Sequence, residues 1–356
     1  MARPHAASRI EDTVHRRAER LLRGRGWENR TLPYTGYGNE LFVRVLGRVL
    51  LGRQGDPLDE VPGPARCAKL PRLHGMDEAK RGWRVFITAP ASGVPVEVRV
   101  GDRVVHTRTD RSGYVDVIVT DPALPAGWHN ATITAAAAAP VDAPVQVTGA
   151  STRLGLVSDI DDTVMITKLP RVFIAAWNTF VRHEAARAVV PGMATLYREL
   201  LAEVPGAPIF YVSTGAWNTA PTLTRFLKRH GYPPGPMLLT DWGPTNTGWF
   251  RSGQDHKVAA LHRLGREFPS VRWLLVGDDG QHDPKIYGDF ARDRPDLVAA
   301  IAIRELSPAQ QVLSHGIPVS NEELELLRPH RPREVITVRA PDGYGLARLL
   351  RAAQAW

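Results

Sequence analysis

The sequence has a single cysteine, few lysines and no long apolar run. Cys67 has no second cysteine to pair with, which excludes an intramolecular disulfide and is typical of a reducing compartment. No apolar stretch reaches the roughly 20 residues that a membrane-spanning helix requires. The first residues also lack the apolar core of a secretion signal. These absences predict a cytoplasmic protein.

The charge is positive, at +8 with a pI of about 9.9, and it comes mostly from arginine. Lysine occurs only at positions 69, 80, 168, 228, 257 and 285. A basic protein attracts nucleic acid, acidic membranes or phosphorylated substrates. Richness in arginine, alanine, glycine and proline also follows from a GC-rich genome, so the charge alone selects none of these partners.

Residues 1–30 are predicted to contain a basic amphipathic helix from Ser8 to Gly24. Ile10, Val14 and Leu21 fall at helical spacing, and arginines occupy the other faces. Two interpretations remain open. The helix either lies on an anionic membrane surface, at the inner face of the membrane, or packs on the protein with a solvated basic face.

Residues 31–150 have the pattern of a small β domain. Short strand-like runs with turn signals between them predict a sandwich-like arrangement, with strands at Leu41–Leu51, Arg84–Thr88, Val94–Val100, Val104–Thr109, Tyr114–Thr120 and His129–Thr134. Residues 52–81 are rich in proline and glycine, which predicts an irregular loop. The run from Ala135 to Pro144 is of low complexity and predicts a linker or an exposed loop. No metal cluster or nucleophile–base pair occurs here, so we expect a scaffold or a substrate platform.

Residues 151–356 alternate short apolar runs with helical patterns, which predicts a doubly wound parallel sheet. The predicted strands are Leu154–Ser158, Pro208–Val212, Met237–Leu239, Val271–Val276, Val298–Ile303 and Val335–Val338. The predicted helices are Arg171–His183, Met193–Glu203, Ala220–His230, His256–Phe268, Pro284–Arg292, a capping-box helix from Ser320 and a final C-terminal helix.

The first of these strands ends in three carboxylates and a hydroxyl, Asp159, Asp161, Asp162 and Thr163. Ligands of open α/β sheets bind at the carboxyl ends of strands. Two close carboxylates repel unless a metal ion or a proton lies between them. The pattern of four apolar residues followed by DxDxT resembles the first motif of the haloacid-dehalogenase-like (HAD) phosphohydrolases.

Polar residues follow further along the chain in the order that this superfamily uses. Ser213 ends the second strand, Lys257 lies near the start of a helix, and Asp278 follows a later strand, with Asp283 five residues on. Taken singly, each has a simple structural interpretation as a strand-end serine, a surface lysine or a loop carboxylate. Their joint occurrence in this order favours a phosphoryl-transfer site.

The resemblance implies a role for each residue. Asp159 is the expected nucleophile that forms an aspartyl-phosphate, and Asp161 the acid that protonates the leaving group and later activates water. Ser213 is expected to hold the phosphoryl oxygens, and Lys257 to reach both nucleophile and phosphate. A Mg²⁺ ion is expected as cofactor. Its implied ligands are Asp159, the Asp161 carbonyl, Asp278 and, through a water molecule, Asp283.

Four segments narrow the resemblance from the superfamily to one family within it. DIDDTV at 159–164, YVSTGAWN at 211–218, DHK at 255–257 and GDDGQHDPKIY at 277–287 are similar to the actin-patch-protein type of phosphatidate phosphatase. That family implies Mg²⁺-dependent conversion of phosphatidate to diacylglycerol. The gaps between the motifs are too short for a large cap, so we expect a HAD-like sheet without one, with a site open to bulky substrates. Asp279 stands where serine is usual, and we expect it to add a negative charge beside the metal.

Other functions remain open. A lipid phosphate is the favoured substrate, but a polynucleotide end or a phosphoprotein would suit the same chemistry, and a lipid-binding module on an inactive HAD scaffold is a non-enzymatic alternative. No nucleic-acid motif occurs, so no nucleic-acid partner is expected. The loop Trp242–Phe250 either contacts membrane or packs on the β domain. The sequence does not indicate an oligomeric state.

Overall fold

The computed structural model describes residues 19–53, 89–166, 188–240, 253–280, 282–308, 310 and 335–356. These residues form two compact units, which divide between Gly149 and Ala150. Residues 19–23 are helical, as expected for the end of the N-terminal helix. Of the described helices, none has the length and apolar character needed to cross a membrane.

Several expectations fall on residues that the structure does not describe. They concern the start of the N-terminal helix, the strand Arg84–Thr88, the helix Arg171–His183, the loop Trp242–Phe250 and the capping-box helix from Ser320. These expectations stay predictions.

The first unit is a seven-stranded sheet in the order β4-β3-β6-β7-β1-β2-β5. Neighbouring strands are antiparallel except for β1 and β7, which are parallel. Its valines alternate along the strands, so that Val115, Val117 and Val119 of β5 are all buried in one core. The strands are β1 (Glu28–Asn39), β2 (Phe42–Gly52), β3 (Pro95–Val100), β4 (Arg103–Arg108), β5 (Tyr114–Thr120), β6 (Gly127–Ala135) and β7 (Val141–Thr148).

The predicted sandwich is wrong for this unit. All seven described strands belong to one sheet, and its edge strands β4 and β5 approach each other, so the sheet is barrel-like. Short strands at regular spacing occur in sandwiches and in barrels alike. The strand pattern therefore gave the all-β character but not the way in which the sheet closes.

Two strands lie where the sequence pattern predicted none. β1 contains Pro33 and a bulge between Tyr34 and Tyr37, and β7 occupies part of the predicted linker around Pro144. Pro144 is tolerated because the pairing of β7 with β1 begins only at Val145, so no hydrogen bond to β1 is lost at the proline. The linker prediction is wrong for Val141–Pro144.

The second unit is a mixed α/β structure with a parallel sheet, as the sequence predicts. Its six strands run in the order β12-β11-β8-β13-β14-β15, and every neighbouring pair is parallel. The strands are β8 (Leu154–Asp159), β11 (Ile209–Ala216), β12 (Met237–Thr240), β13 (Arg272–Asp278), β14 (Val298–Arg304) and β15 (Ile336–Ala340), and a ribbon is formed by β9 (Met165–Ile166) and β10 (Ala188–Val189). The described helices are α1 (Met193–Glu203), α2 (Ala220–Arg229), α3 (Gly253–Glu267), α4 (Asp283–Asp293) and α5 (Gly343–Ala352).

The order of the strands determines where a ligand can bind. β8 is central, and the chain first adds β11 and β12 on one side and then β13, β14 and β15 on the other. Open α/β sheets bind their ligands at the carboxyl ends of the strands where the strand order changes direction, which in this sheet is the end of β8. The polar residues at the ends of β8, β11 and β13 therefore converge on one place.

The centre of the sheet depends on a close approach between Gly155 and Trp273. A Cβ atom at Gly155 would lie 2.5 Å from Cζ3 of Trp273. The Trp273 ring packs edge-on against Phe210 and Phe268, so it has little room to move.

We expect Gly155→Ala to lower the free energy of unfolding by about 1–3 kcal/mol, because the added methyl group overpacks this contact. Urea unfolding followed by circular dichroism measures the change. Gly24→Ala is the matched control, because its Cβ would lie 3.5 Å from the nearest backbone atom. We expect that control to stay within about 0.5 kcal/mol of the wild type. A Gly155→Ala protein as stable as the control would contradict the packing argument.

Candidate active site

The loop after β8 brings its polar side chains back over the strand end. Asp159 is the last residue of β8 and is only 1% exposed. A single helical turn follows, in which the amide of Val164 donates to the carbonyl of Ile160 at 3.0 Å. This turn directs the Thr163 hydroxyl to Oδ2 of Asp159 at 3.1 Å, with Oδ2 of Asp278 at 3.5 Å. Thr163 thus links the ends of β8 and β13.

One buried ammonium group lies between two of the carboxylates. Lys257, on the first turns of α3, places Nζ 2.7 Å from Oδ1 of Asp159 and 2.5 Å from Oδ1 of Asp283. All three side chains are at most 3% exposed. A buried charge is costly unless it is paired, so these three groups are energetically coupled.

Three carboxylates are close enough together to hold a metal ion. Oxygens of Asp159, Asp278 and Asp283 all lie within 4.8 Å of one another, and all three residues are buried. Oδ2 of Asp283 is buried and makes no hydrogen bond within the described part of the chain. The geometry needs a glycine at position 277, where a Cβ would lie 2.6 Å from that oxygen. The three residues offer oxygen ligands only, which suit Mg²⁺.

A second polar pair lies beside this cluster. The Ser213 hydroxyl donates to Oδ2 of Asp161 at 2.8 Å and accepts from the Gly215 amide at 2.9 Å. Gly215 follows two residues later in β11, so the local backbone fixes the orientation of the serine. Asp161 is close enough to Asp159 to raise its pKa electrostatically.

The structure thus brings the six predicted site residues together at one edge of the sheet. Asp159, Asp278, Asp283 and Lys257 share one cluster, and Asp161 pairs with Ser213. The side chain of Asp161 is not one of the three grouped carboxylates.

Asp279 lies outside the three-carboxylate group, and its carboxylate bonds to a neighbouring strand end. Oδ1 of Asp279 accepts a hydrogen bond from the Leu306 amide at 2.8 Å. This contact is to the chain that follows β14, and the expectation that Asp279 adds a negative charge beside the metal stays a prediction.

The electrostatics reflect an excess of negative charge. Burial, with the charges of Asp283 and Asp161, raises the pKa of Asp159 to about 8, although Lys257 opposes the shift. Burial, with the charges of Asp283 and Asp159, also raises the pKa of Asp278 well above its usual range. Burial opposes a charged Lys257, but the surrounding carboxylates outweigh it and raise the pKa of that ammonium. Lys257 therefore stays protonated, and one cation does not neutralise the cluster.

Some supporting residues were missed by the sequence analysis. Ser158 donates to the Asp159 carbonyl at 2.7 Å and shares a 2.6 Å hydrogen bond with the Tyr197 hydroxyl. Arg304, at the end of β14, donates to the Asp162 carbonyl. Arg304 carried a usable signal, because it is a charged residue at the carboxyl end of an apolar strand. Ser158 and Tyr197 carried none, because their contact joins two distant segments.

Part of the chain matches the model of a known protein family. Residues 154–305 match the family model described as phosphatidate phosphatase APP1, catalytic domain. These residues are similar to that catalytic domain, and they make up less than half of the chain. The matched range contains all six predicted site residues and Arg304, and the resemblance drawn from the sequence is confirmed. The first unit lies outside the match.

Two fungal relatives each match less than half of the chain. Phosphatidate phosphatase APP1 of Saccharomyces cerevisiae is 30% identical over 171 residues, which cover 48% of this chain and 29% of the yeast protein. An uncharacterized protein of Schizosaccharomyces pombe is 23% identical over 154 residues, which cover 43% of this chain and 25% of that protein. The chain thus spans less than a third of either relative.

The solved structures that align with this chain resemble it only weakly. A carbohydrate acetylesterase from Xanthomonas citri aligns with 89% of this chain and 72% of its own, at 11% identity and a TM-score of 0.28. A score this low supports no argument about fold or function.

The raised pKa values predict how stability depends on pH. A carboxyl group whose pKa is raised by folding binds its proton more tightly in the folded than in the unfolded chain. The free energy of unfolding then falls as the pH rises between the two pKa values. For Asp159 this window runs from 3.8 to about 8. With a chelator present, we expect the thermal midpoint to fall as the pH rises across this window. We expect a divalent cation to raise the midpoint more at the upper end of the window than at the lower end.

Thermal denaturation at several pH values, with chelator or with Mg²⁺, makes the measurement. The variant Asp278→Asn removes one buried carboxylate and should flatten the pH dependence. Cation stabilisation of equal size at both ends of the window would contradict the electrostatic account.

Proposed function

We propose that the second unit is a Mg²⁺-dependent phosphomonoester hydrolase of the HAD type, with phosphatidate as its substrate. The observation that carries the proposal is the buried cluster of three carboxylates around Lys257, at the carboxyl end of the central strand β8. The family match of residues 154–305 supports the choice of phosphatidate. The parallel sheet, with the site at its change of direction, is compatible with a HAD-like core.

The residues present fit a Mg²⁺ ion. Asp159 and Asp278 would be direct carboxylate ligands, the Asp161 carbonyl a further ligand, and Asp283 would hold a bound water. Bound there, the ion would offset the excess negative charge and polarise a phosphoryl oxygen. The buried and unsatisfied Oδ2 of Asp283 agrees with this arrangement.

Asp159 is the nucleophile in this proposal. One of its carboxylate oxygens attacks phosphorus, and the bond from phosphorus to the diacylglycerol oxygen breaks. Thr163 and Lys257 already hold the two oxygens of Asp159, which fixes the direction of the carboxylate before substrate binds. The positive charge of Lys257 also lowers the cost of bringing an anionic phosphate to an acidic site.

Asp161 donates a proton in the first step and accepts one in the second. It protonates the leaving diacylglycerol oxygen, and then takes a proton from the water that attacks the aspartyl-phosphate. That attack breaks the bond from phosphorus to Asp159 and releases phosphate. Ser213 donates to Asp161 in the absence of substrate. When the phosphoryl group binds, the Ser213 hydroxyl is free to turn to one of its oxygens.

Contact with a membrane surface is part of this proposal, because phosphatidate lies in a bilayer. The basic N-terminal helix and the loop Trp242–Phe250 are candidates for that contact on sequence grounds alone. A cytoplasmic protein that binds the inner face of the membrane at its periphery would meet this requirement.

Phosphate release, measured with and without Mg²⁺, tests the proposal. The substrates are phosphatidate in mixed micelles and p-nitrophenyl phosphate as a soluble ester. We expect turnover that requires Mg²⁺ and strongly favours phosphatidate. Activity on the soluble ester alone would retain the chemistry but exclude the lipid assignment. Lipid binding without turnover on either ester would favour a binding module on an inactive scaffold.

The roles of the two aspartates are separable. We expect Asp159→Asn to abolish turnover and phosphoenzyme formation, because the neutral amide is a poor nucleophile. Asp161→Asn should still form phosphoenzyme from p-nitrophenyl phosphate, whose leaving group needs little protonation, but hydrolyse it slowly. Intact-protein mass spectrometry after an acid quench detects the adduct.

Asp289→Asn is the matched control for both variants. Asp289 is 39% exposed, bonds to Lys285 and lies on α4 outside the carboxylate cluster, so this variant should keep wild-type turnover. Equal phosphoenzyme yields in the Asp159 and Asp161 variants would contradict the assigned roles.

A further inference from the structure

The loop after β8 adopts its conformation without the help of glycine. Residues 159–165 read DIDDTVM, and Asp162 has a φ of +57°. A left-handed backbone is uncommon for residues other than glycine and is retained only where the surroundings hold it in place. The surroundings of this loop therefore contain the groups that set the positions of Asp159, Asp161 and Thr163.

Arg304 holds this loop from the end of β14. The side chain is 4% exposed, and its guanidinium donates to the carbonyls of Asp162 and Pro341 and to Oε1 of Gln310. These acceptors are two backbone carbonyls and an amide rather than a carboxylate. Burial lowers the pKa of Arg304, although the carboxylates of Asp162, Asp278 and Asp279 favour the charge electrostatically. The hydrogen bonds of the guanidinium fix where the two carbonyls lie, which points to a positional requirement.

The backbone of Arg304 contacts the other acidic loop. Its carbonyl accepts from the Asp279 amide at 3.0 Å, next to Asp278. The Asp279 carboxylate in turn accepts from the Leu306 amide, two residues after Arg304. One residue at the end of β14 thus bonds to the loop that carries Asp161 and to Asp279, which follows Asp278 at the end of β13.

Tyr232 holds the same loop two residues further on. Its hydroxyl donates to the Val164 carbonyl at 2.8 Å, and the residue is 4% exposed. The ring packs edge-on against Tyr197 at 5.8 Å, which fixes its direction. The carbonyls that Arg304 and Tyr232 hold therefore lie on either side of Thr163, whose hydroxyl links Asp159 to Asp278.

We propose that Arg304 and Tyr232 are positioning residues, which align the loop after β8 with Asp278 by holding the Asp162 and Val164 carbonyls. This inference rests on the proposed phosphatase function. Neither residue touches the substrate. Each acts through the placement of Asp159, Asp161 and Thr163, so its loss changes the turnover number and cation affinity more than the KM for a soluble ester.

The experiment compares Tyr232→Phe, Arg304→Met and Arg304→Lys in the full chain. Turnover of p-nitrophenyl phosphate gives kcat and KM, and titration calorimetry with Mn²⁺ gives cation affinity without substrate. We expect Tyr232→Phe and Arg304→Met to lose about 10- to 100-fold in kcat or in Mn²⁺ affinity, the size found when outer-shell partners of a metal site are removed. Arg304→Lys should recover only part of the loss, because one ammonium does not reproduce the three-way guanidinium contact.

Tyr211→Phe is the matched control. The Tyr211 hydroxyl also donates to a backbone carbonyl at 2.8 Å, but that carbonyl belongs to Pro233, outside the loop. We expect this variant to lose thermal stability much as Tyr232→Phe does, yet to keep wild-type kcat and Mn²⁺ affinity.

The outcomes separate the inference from the function beneath it. Folded Tyr232→Phe and Arg304→Met proteins with wild-type kcat and Mn²⁺ affinity would overturn the positioning role, as would equal losses in Tyr211→Phe. Full recovery in Arg304→Lys would show that charge rather than position matters. A wild type that binds Mn²⁺ but hydrolyses no ester would remove the proposed function, while Mn²⁺ affinity would still test the loop. A wild type that binds no Mn²⁺ would overturn both.

Discussion

The ion pairs of Lys257 are the interaction on which the second unit depends. A single ammonium lies between Asp159 and Asp283, and Asp278 is close enough to shift its pKa. Removing one partner of a buried ion pair commonly costs about 3–5 kcal/mol, because the remaining charge stays buried. Three carboxylates around one ammonium leave net negative charge even when the pairs are intact. The centre is therefore stable only with protons or with an added cation, and this demand couples folding to the proposed chemistry.

The parallel sheet makes this concentration of charge possible. Strands β8, β11 and β13 end at the same edge, so side chains more than 100 residues apart in sequence meet there. Close packing between neighbouring elements then sets the distances. Gly277 lets Asp283 approach the end of β13, since any larger residue there would meet the Asp283 carboxylate. The glycine at position 277 is thus part of the site, although it carries no functional group.

Much of this arrangement could be predicted from the sequence, because it follows from local patterns. Apolar runs of strand length predicted the six strands of the parallel sheet, and polar residues after three of them predicted the site. The predictions failed where pairing partners decide the structure. β1 and β7 contain prolines, and the two strands pair with each other although they are distant in sequence. Each also pairs with a strand next to it in the chain, β1 with β2 and β7 with β6. The bond from Arg304 to Asp162 spans 142 residues, and no local pattern reveals it.

Asp278 and Asp279 are neighbours in the sequence but contact different parts of the chain. The position of Asp279 next to Asp278 predicted a charge beside the metal. Asp278 is the last residue of β13, and Asp279 lies beyond the strand, where its side chain contacts another segment. While Asp278 turns to Thr163, Asp279 turns to the amide of Leu306, and burial raises its pKa. A serine at this position, usual in the resembling family, also has an oxygen that accepts a hydrogen bond. The Asp279 carboxylate thus serves as an acceptor for the chain after β14, a role that a neutral hydroxyl oxygen can also fill, while Asp278 keeps its own contact to Thr163.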